Sequence, residues 1–163
     1  MIAASIPTAD FSVAQLATPQ VPQAAALLLA INDDTAYSDE CAWLLHCLTR
    51  WPPLQVGAVD HGQLVGVASG AVDERDPGLG WSHDLVVSAS YQHHGVGAAL
   101  LRAQLQGFRL LGCSRIRGQS PTRLASAIAF FEHFGFRVVD ETTAAGFPGI
   151  ADGTRVFITE CAL

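Results

Sequence analysis

Hydrophobic and polar residues along this chain follow two different periods, which predict strands and helices in mixed order. Strict alternation of apolar and polar positions predicts strands, and apolar positions three or four residues apart predict helices. Strands are predicted at Phe11–Leu16, Leu54–Val59, Leu64–Val72, Trp81–Val87, Arg115–Gln119, Phe136–Asp140 and Arg155–Cys161. Helices are predicted from a cap at Thr18 to Ile31, from Ser38 or Asp39 to Leu48, from Gly95 to Leu111, and from Leu124 to Phe134. This order predicts one α/β domain over residues 1–163, with helices on the faces of a central sheet.

Turn residues between these segments indicate how the strands pair. Asp60-His61-Gly62-Gln63 is typical of a hairpin turn, so the two strands around it are expected to be antiparallel. The later helical crossovers predict some parallel pairing. In the strand Trp81–Val87, alternation predicts one face with Trp81, His83, Leu85 and Val87, and an opposite face with Ser82, Asp84 and Val86.

The segment from Asp84 to Leu111 combines a strand, a tight loop and a helix that opens with Gly95 and Gly97. Glycines let the main chain approach a ligand closely and point several N–H groups at one place. The helix N-terminus adds partial positive charge, so a phosphate can bind without Lys or Arg. An ordinary strand-to-helix turn that uses glycine only for its geometry is the alternative interpretation.

Two blocks of this region resemble the GCN5-related N-acetyltransferase (GNAT) family. Gln92, Gly95 and Gly97 match its Q/R-x-x-G-x-G/A pyrophosphate loop, and Leu85 and Val87 match the strand before it. Downstream, Phe130-Phe131-Glu132-His133-Phe134-Gly135-Phe136 resembles the family's aromatic-Tyr-Glu-x-x-Gly-Phe segment. The resemblance implies a mixed, mostly antiparallel, twisted sheet of about six or seven strands, with about four flanking helices.

The resemblance also implies a co-substrate, acetyl-CoA, and no metal. Main-chain groups of the strand, at Leu85, Val86 and Val87, would bind the pantetheine arm. The loop and first helical turn would hold the pyrophosphate, and the helix that carries Phe131 would border the cofactor. The loop and helix residues concerned are Gln92, His93, His94, Gly95, Val96, Gly97 and Ala98. For His93 and His94, simple exposure on a loop is an equal alternative.

Catalytic roles are less well marked than the cofactor loop. Asp84 is the first candidate for the general base and His83 the second, while the Val87 N–H is expected to polarise the acetyl carbonyl. An ordinary hydrogen-bonded carboxylate is the alternative for Asp84. Phe131 stands where the family often has Tyr, and Leu124 where it often has Asn, so no general acid is assigned.

Four carboxylates precede or open the second predicted helix and could steer a cationic amine, or simply face solvent. They are Asp33, Asp34, Asp39 and Glu40.

Bulk properties exclude several function classes. The net charge is −6, with nine basic residues in total, which argues against a general nucleic-acid binder. Residues 1–32 contain no Lys or Arg, and the apolar run Ala24–Ile31 is too short to span a bilayer, so we expect a cytoplasmic protein without a membrane segment. Cys41, His46 and Cys47 are close in sequence, but no cysteine pair has C-x-x-C spacing, which favours buried thiols over a metal site.

Three hypotheses therefore remain from the sequence. The first is an N-acetyltransferase that acts on a primary amine of a small molecule or peptide by direct attack, with a homodimer allowed by family habit. The second is a non-catalytic acyl-CoA-binding sensor. The third is a dinucleotide oxidoreductase, although Leu100 stands where a third glycine would be needed, and Arg115 and Arg117 lie where an acidic ribose partner is expected.

Overall fold

The computed structural model describes residues 10–31, 37–146 and 150–163, and in them every predicted strand and helix has a counterpart. The strands are β1 Ser12–Gln15, β2 Val56–Asp60, β3 Gln63–Val72, β4 Leu79–Val87, β5 Arg115–Pro121, β6 Arg137–Thr143 and β7 Arg155–Ala162. The α-helices are α1 Val21–Leu29, α2 Tyr37–Arg50, α3 Val96–Leu110 and α4 Ala125–His133. The predicted mixed fold class is confirmed.

The first helix starts later than predicted. Thr18–Gln20 forms a 3-10 turn, and α1 begins only at Val21. Pro22 explains the break, because it has no N–H to donate to the Thr18 carbonyl and so cannot continue an α-helix begun at Thr18. The predicted end of this helix at Asn32-Asp33-Asp34 lies outside the described residues.

Strand β6 is longer than the predicted Phe136–Asp140. It continues to Thr143 because its polar second half pairs with β7, up to the pair Thr143 and Arg155. All seven β6 residues are exposed, as suits an edge strand with neither face buried, so apolar alternation could not mark its end.

The seven strands form one sheet in the order β1-β2-β3-β4-β5-β7-β6. The β2–β3 hairpin is antiparallel, as its turn predicts. The β4–β5 pair is parallel, and the other neighbours are antiparallel. A parallel pair needs a long crossover, and α3 provides it between β4 and β5.

Helices cover both faces of the sheet. On one face, Leu28 of α1 and Leu44 of α2 pack with Val86 of β4. On the other face, Leu100 of α3 packs with β2 and β3, while Phe108 further along α3 packs with Ile116 of β5. Strand β4 therefore lies at the centre of the sheet, between helix α2 and helix α3.

The predicted alternation of side chains along β4 is wrong at His83. Ser69 of β3 lies opposite Asp84 and the next residue, Gly70, lies opposite Ser82, so His83 is the extra residue of a β-bulge. The His83 ring stacks on Trp43 of α2, with 5.3 Å between ring centroids. Beyond the bulge, Leu85 faces α3, since its Cδ2 atom lies 3.7 Å from an ideal Cβ built at Gly97.

The bulge therefore turns both His83 and Asp84 towards α2. After burial, the charge of the Asp84 carboxyl is the next largest cause of the raised pKa of the Cys47 thiol. Cys47 is on α2, four residues after Trp43 and on the same face of that helix. The sequence expectation of opposite faces for His83 and Asp84 assumed a regular strand, and a bulge shifts the alternation by one residue.

Candidate functional site

Strands β4 and β5 lie side by side over only part of their length. Their pairing runs from Leu79 with Arg115 to Ser82 with Gly118. Among the described residues the register ends there, at the bulge, although β4 continues to Val87 and β5 to Pro121. The second half of β4 therefore has an open edge that faces the second half of β5.

Main-chain groups of β4 alternate between β3 and this open edge. The Ser88 N–H donates to the Val65 carbonyl of β3 at 2.9 Å. Because the hydrogen-bonding side alternates along an antiparallel strand, Val86 also faces β3, while Leu85 and Val87 present N–H and C=O to the open edge. The side chain of Val86 is buried in the core, so neither its main chain nor its side chain faces the open edge.

The loop after β4 has two residues in the left-handed region. His93 has φ +63° and Gly95 has φ +85°. Short contacts hold the turn together: Gln92 Nε2 donates to the Val87 carbonyl at 3.0 Å, and His94 Nδ1 lies 2.7 Å from the Gln92 carbonyl oxygen. Left-handed residues two positions apart can turn the N–H groups between them to one side, as in anion-binding nests.

Helix α3 begins directly after this loop with uncapped N–H groups. Gly95 is the N-cap residue and offers no side-chain cap, and the first helical hydrogen bond runs from the Ala99 N–H to the Gly95 carbonyl at 3.0 Å. The N–H groups of Val96, Gly97 and Ala98 precede that bond and are the orphan donors of the first turn. Uncapped donors at the positive end of a helix dipole are suited to an anion such as a phosphate.

A cavity of about 550 Å³ lies where β4 and β5 diverge. Its wall combines the bulged part of β4, the start of the loop, the end of β5, and one side of α4. Of the predicted site residues, Asp84, Leu85, Gln92, His93 and Phe131 line it, and so does His83, the second candidate base. The other predicted site residues lie outside this lining: Val86, Val87, His94, Gly95, Val96, Gly97 and Ala98. Gly95 is exposed.

The two candidate bases have different environments within the cavity wall. Asp84 is 6% exposed and accepts a hydrogen bond from Ser69 Oγ at 2.8 Å. Burial lowers the pKa of His83 to about 4, so its imidazole is neutral near pH 7. A neutral imidazole and a nearly buried carboxylate thus lie next to each other at the bulge.

Cys47 lies behind this pair and is inert as a thiol. Burial, together with the nearby carboxylates of Asp84 and Glu40, raises its pKa to about 12. A thiol with such a pKa is almost never a thiolate near neutral pH, and the thiolate is the nucleophilic form.

Phe131 lines the cavity and also belongs to an aromatic cluster. Its ring meets Phe130 at 5.4 Å and Phe136 at 5.3 Å, edge to face. Leu124 also lines the cavity and is 43% exposed. Neither side chain has a polar atom, so neither can donate a proton.

The carboxylates named from the sequence separate into three groups. Glu40 is buried on α2 beside Cys47, and Asp39 is exposed. Asp33 and Asp34 lie outside the described residues. Of this set, the structure therefore places only Glu40 close to the bulge of β4.

Sequence reasoning missed several parts of the site. The end of β5, Gly118–Pro121, lines the cavity, as do Ile31 after α1 and Ile150 before β7. No motif marks these residues, because they meet only when the sheet forms. Tyr91 was also missed: its hydroxyl donates to Asp60 Oδ2 at 2.7 Å, across 31 residues of sequence.

Comparison with protein families identifies the chain's relatives. The model of the acetyltransferase (GNAT) family matches residues 19–136, well over half of the chain. This chain belongs to the GNAT acetyltransferase family. Membership confirms the resemblance seen in the sequence and supports acetyl transfer in general terms. Among curated proteins, none matches this GNAT chain in sequence.

Solved structures of GNAT proteins share this fold at low sequence identity. Ard1 from Thermoplasma volcanium has a TM-score of 0.78 at 18% identity, covering 94% of this chain and 97% of that one. YncA, a putative acetyltransferase from Salmonella typhimurium solved with its cofactor acetyl-CoA, has 0.77 at 14% identity, with 94% of each chain covered. Naa50 from Arabidopsis thaliana, in complex with the bisubstrate analogue CoA-Ac-MVNAL, has 0.75 at 18% identity, covering 94% and 99%.

Two features are absent from the described residues: a membrane-spanning helix and a cluster of metal ligands. Over residues 10–31, 37–146 and 150–163, no helix has the length and hydropathy needed to cross a bilayer. Over the same ranges, no group of three or more His, Cys, Asp or Glu side chains is arranged to hold a metal ion.

Proposed function

We propose that this protein transfers an acetyl group from acetyl-CoA to a primary amine by direct attack in a ternary complex. The observation that carries the proposal is the continuity of the open β4 edge with the uncapped N-terminus of α3, beside a cavity of about 550 Å³. An extended polar arm that ends in a diphosphate matches that path, and coenzyme A has this shape. Family membership and the acetyl-CoA reported in YncA support the same co-substrate.

The cofactor contacts follow from which groups face the open edge. Main-chain groups of Leu85 and Val87 bind the pantetheine arm as an added strand would. Val86 does not take part, because its side chain packs in the core. The main-chain N–H groups from Gln92 to Ala98 hold the diphosphate, and His93 and His94, both exposed on the loop, reach its outer oxygens. Phe131 and its helix α4 cover the other side of the pantetheine arm.

Asp84 is our proposed proton acceptor, directly or through one water. The amine attacks as the free base, its nitrogen bonds to the acetyl carbon, and the carbon–sulfur bond to CoA breaks. The proton lost by the amine passes to Asp84 and on to solvent, and the sulfur leaves as a thiolate that solvent protonates. The Val87 N–H, on the open edge, donates to the carbonyl oxygen as its negative charge develops.

Direct attack also fits the protonation state of the Cys47 thiol. An acyl-enzyme would need a nucleophile in the cavity, and Cys47, with a pKa of about 12, is held as a neutral thiol behind the bulge. Phe131 supplies no proton to the leaving sulfur, and a thiolate is stable enough in water to leave without one.

Of the two other hypotheses, one is kept as a second candidate and the other is set aside. Phe131 and Leu124 still favour a non-catalytic acyl-CoA-binding relative as the second candidate, because both remove polar groups from the cofactor wall. The dinucleotide oxidoreductase is set aside: its fold needs a parallel sheet, and here β4–β5 is the parallel pair in a sheet of otherwise antiparallel neighbours.

The acceptor is proposed to be a small-molecule or peptide amine. The peptide-containing analogue in Naa50 supports a peptide amine, and Ile31, Ile150 and Ala151 give the cavity an apolar side. A cytoplasmic location and a homodimer remain proposals alongside it.

The test is release of CoA thiol from acetyl-CoA across a panel of amines and peptides, with calorimetry for acetyl-CoA binding. All nine basic residues of the chain are arginines, so the enzyme contributes no lysine amine to the background. Turnover with at least one primary amine is expected. Binding without turnover on any amine would favour the sensor, and absence of binding would overturn both.

A matched pair of glycine variants makes the test specific to the loop. Gly95 has φ +85° and Gly112, at the other end of α3, has φ +83°, and neither has an atom within 4 Å of an added Cβ. Gly95→Glu and Gly112→Glu therefore bear similar backbone strain, but only Gly95→Glu puts a carboxylate in the diphosphate cradle. We expect Gly95→Glu, like Gly97→Glu, to abolish binding and turnover, and Gly112→Glu to retain both. Equal loss in Gly95→Glu and Gly112→Glu would contradict the proposed cradle.

A further inference from the structure

Tyr91 connects the diphosphate loop to a distant turn of the sheet. It is the last residue of the 3-10 turn Ala89–Tyr91 and directly precedes Gln92, where the proposed cradle of N–H groups begins. Its hydroxyl donates to Asp60 Oδ2 at 2.7 Å. Asp60 is the last residue of β2, is 6% exposed, and sits at the hairpin turn to β3.

Asp60 is fixed from more than one direction. It pairs with Gln63 across the hairpin turn, and its Oδ1 lies 2.5 Å from His61 Nδ1. The hydrogen bond from Tyr91 is the largest cause of a lowered Asp60 pKa, so the acceptor is a carboxylate at neutral pH. A charged acceptor on a paired strand is a firm anchor for a phenol hydroxyl.

The loop that Tyr91 precedes depends on such an anchor. His93 adopts a left-handed conformation that L residues rarely use, and it persists only where the surroundings hold it. The contacts of Gln92 and His94 with main-chain oxygens stay within residues 87–94, so they shape the loop without fixing it to another strand. The Tyr91–Asp60 bond fixes the loop to β2.

We infer that Tyr91 and Asp60 form a strut that positions the cradle of N–H groups for the CoA diphosphate. Both act as positioning residues, since neither lines the cavity in which acetyl transfer is proposed. This inference rests on the proposed function. It adds that recognition of the donor's diphosphate, but not of its thioester or of the amine, depends on the β2–β3 turn.

The test compares two acetyl donors that share the thioester and differ in the diphosphate: acetyl-CoA and acetyl-pantetheine. Tyr91→Phe removes the hydroxyl and keeps the ring, which packs among the residues around Val96 and Leu100. Loss of one hydrogen bond to a charged group is expected to raise Kd and KM for acetyl-CoA about tenfold. At saturating acetyl-CoA, kcat should stay within about twofold, because the reacting atoms are untouched.

With acetyl-pantetheine, kcat/KM of Tyr91→Phe should equal that of the wild type, which also shows that the variant is folded. Asp60→Asn keeps an acceptor oxygen for the Tyr91 hydroxyl, so we expect it to retain most acetyl-CoA affinity, whereas Asp60→Ala should match Tyr91→Phe. His61→Ala is the control, since His61 contacts the same carboxylate but is exposed and touches no loop residue in this network. The double variant with Tyr91→Phe and Asp60→Ala should be no weaker than either single one.

Each outcome decides between the strut and another explanation. Unchanged acetyl-CoA affinity in Tyr91→Phe would overturn the strut, and so would equal losses with both donors, which would indicate a general structural role. If the wild type itself neither binds acetyl-CoA nor turns over either donor, the proposed function fails and the strut fails with it. A donor-specific loss in Tyr91→Phe and Asp60→Ala, absent in His61→Ala, supports it.

Discussion

Two glycines on helix α3 are expected to respond in opposite directions to the same substitution by alanine. Gly97 lies in the first turn, where an added Cβ would meet Leu85, Phe130 and Val87 side-chain atoms at 3.7 Å, an ordinary contact distance. Gly107 lies near the other end, where an added Cβ would lie 2.3 Å from the Pro53 carbonyl oxygen. The helix main chain packs directly on the turn Pro52–Leu54 at this point.

The expected sizes follow from these distances. Alanine gains up to about 1 kcal/mol over glycine in a helix, so Gly97→Ala should raise the free energy of unfolding by roughly 0.5–1 kcal/mol. In Gly107→Ala the helix must move away from Pro53 by about 1 Å, since ordinary contacts begin at 3.4 Å. Overpacking of this kind costs about 1–3 kcal/mol.

The same movement stretches the hydrogen bond from Gln104 Nε2 to the Leu54 carbonyl, now 3.2 Å, which adds about 1 kcal/mol. After the gain in helix propensity, Gly107→Ala should destabilise the fold by about 2–3 kcal/mol.

Urea unfolding, followed by tryptophan fluorescence, measures both changes. A loss of 2–3 kcal/mol corresponds to a fall in Tm of about 5–10 °C for a domain of this size. Gly97→Ala serves as the control for helix propensity, because it makes the same chemical change on the same helix. If Gly107→Ala were as stable as Gly97→Ala, the close packing of α3 on Pro53 would be wrong, and with it the position of α3 against the sheet.

Three further predictions concern the cavity wall and the Cys47 thiol behind it. Because burial lowers the pKa of His83 to about 4 while the unfolded chain titrates near 6.5, only the unfolded state gains this proton between those values; stability should therefore fall by roughly 2–3 kcal/mol from pH 6.5 to pH 4. Urea unfolding should show a weaker pH dependence in His83→Phe than in a control with the exposed His94→Phe, and equal slopes would refute the burial argument. Cys47, with a pKa of about 12, should resist a thiol reagent at pH 8 in the folded protein and react in urea, as read by peptide mass spectrometry; rapid labelling before unfolding would contradict its burial. Because the thiolate is proposed to leave without a proton, Phe131→Tyr, like the neighbouring Phe130→Tyr, should change kcat for thiol release by no more than about twofold; a rise of about tenfold in Phe131→Tyr alone would contradict that step.

Local patterns in the sequence were enough for the elements and for the glycine loop that opens α3. The two glycines, the strand before them and the apolar stripe of α3 act over a few residues, because glycine conformation and helix periodicity are local properties of the chain. The same holds for the β2–β3 turn. The late start of α1 was also readable in principle, since Pro22 cannot continue a helix begun at Thr18.

The tertiary structure alone decided how the site is assembled around that loop. The bulge at His83 depends on how β4 pairs with β3. It places His83 and Asp84 on the same side of the sheet, whereas a regular strand would place them on opposite sides. The open edge of β4, the contribution of β5 to the cavity, and the bond from Tyr91 to Asp60 each join residues far apart in sequence. Strand pairing and side-chain contacts at such separations are set by the packing of the whole domain. The periodicity of a single segment therefore cannot predict them.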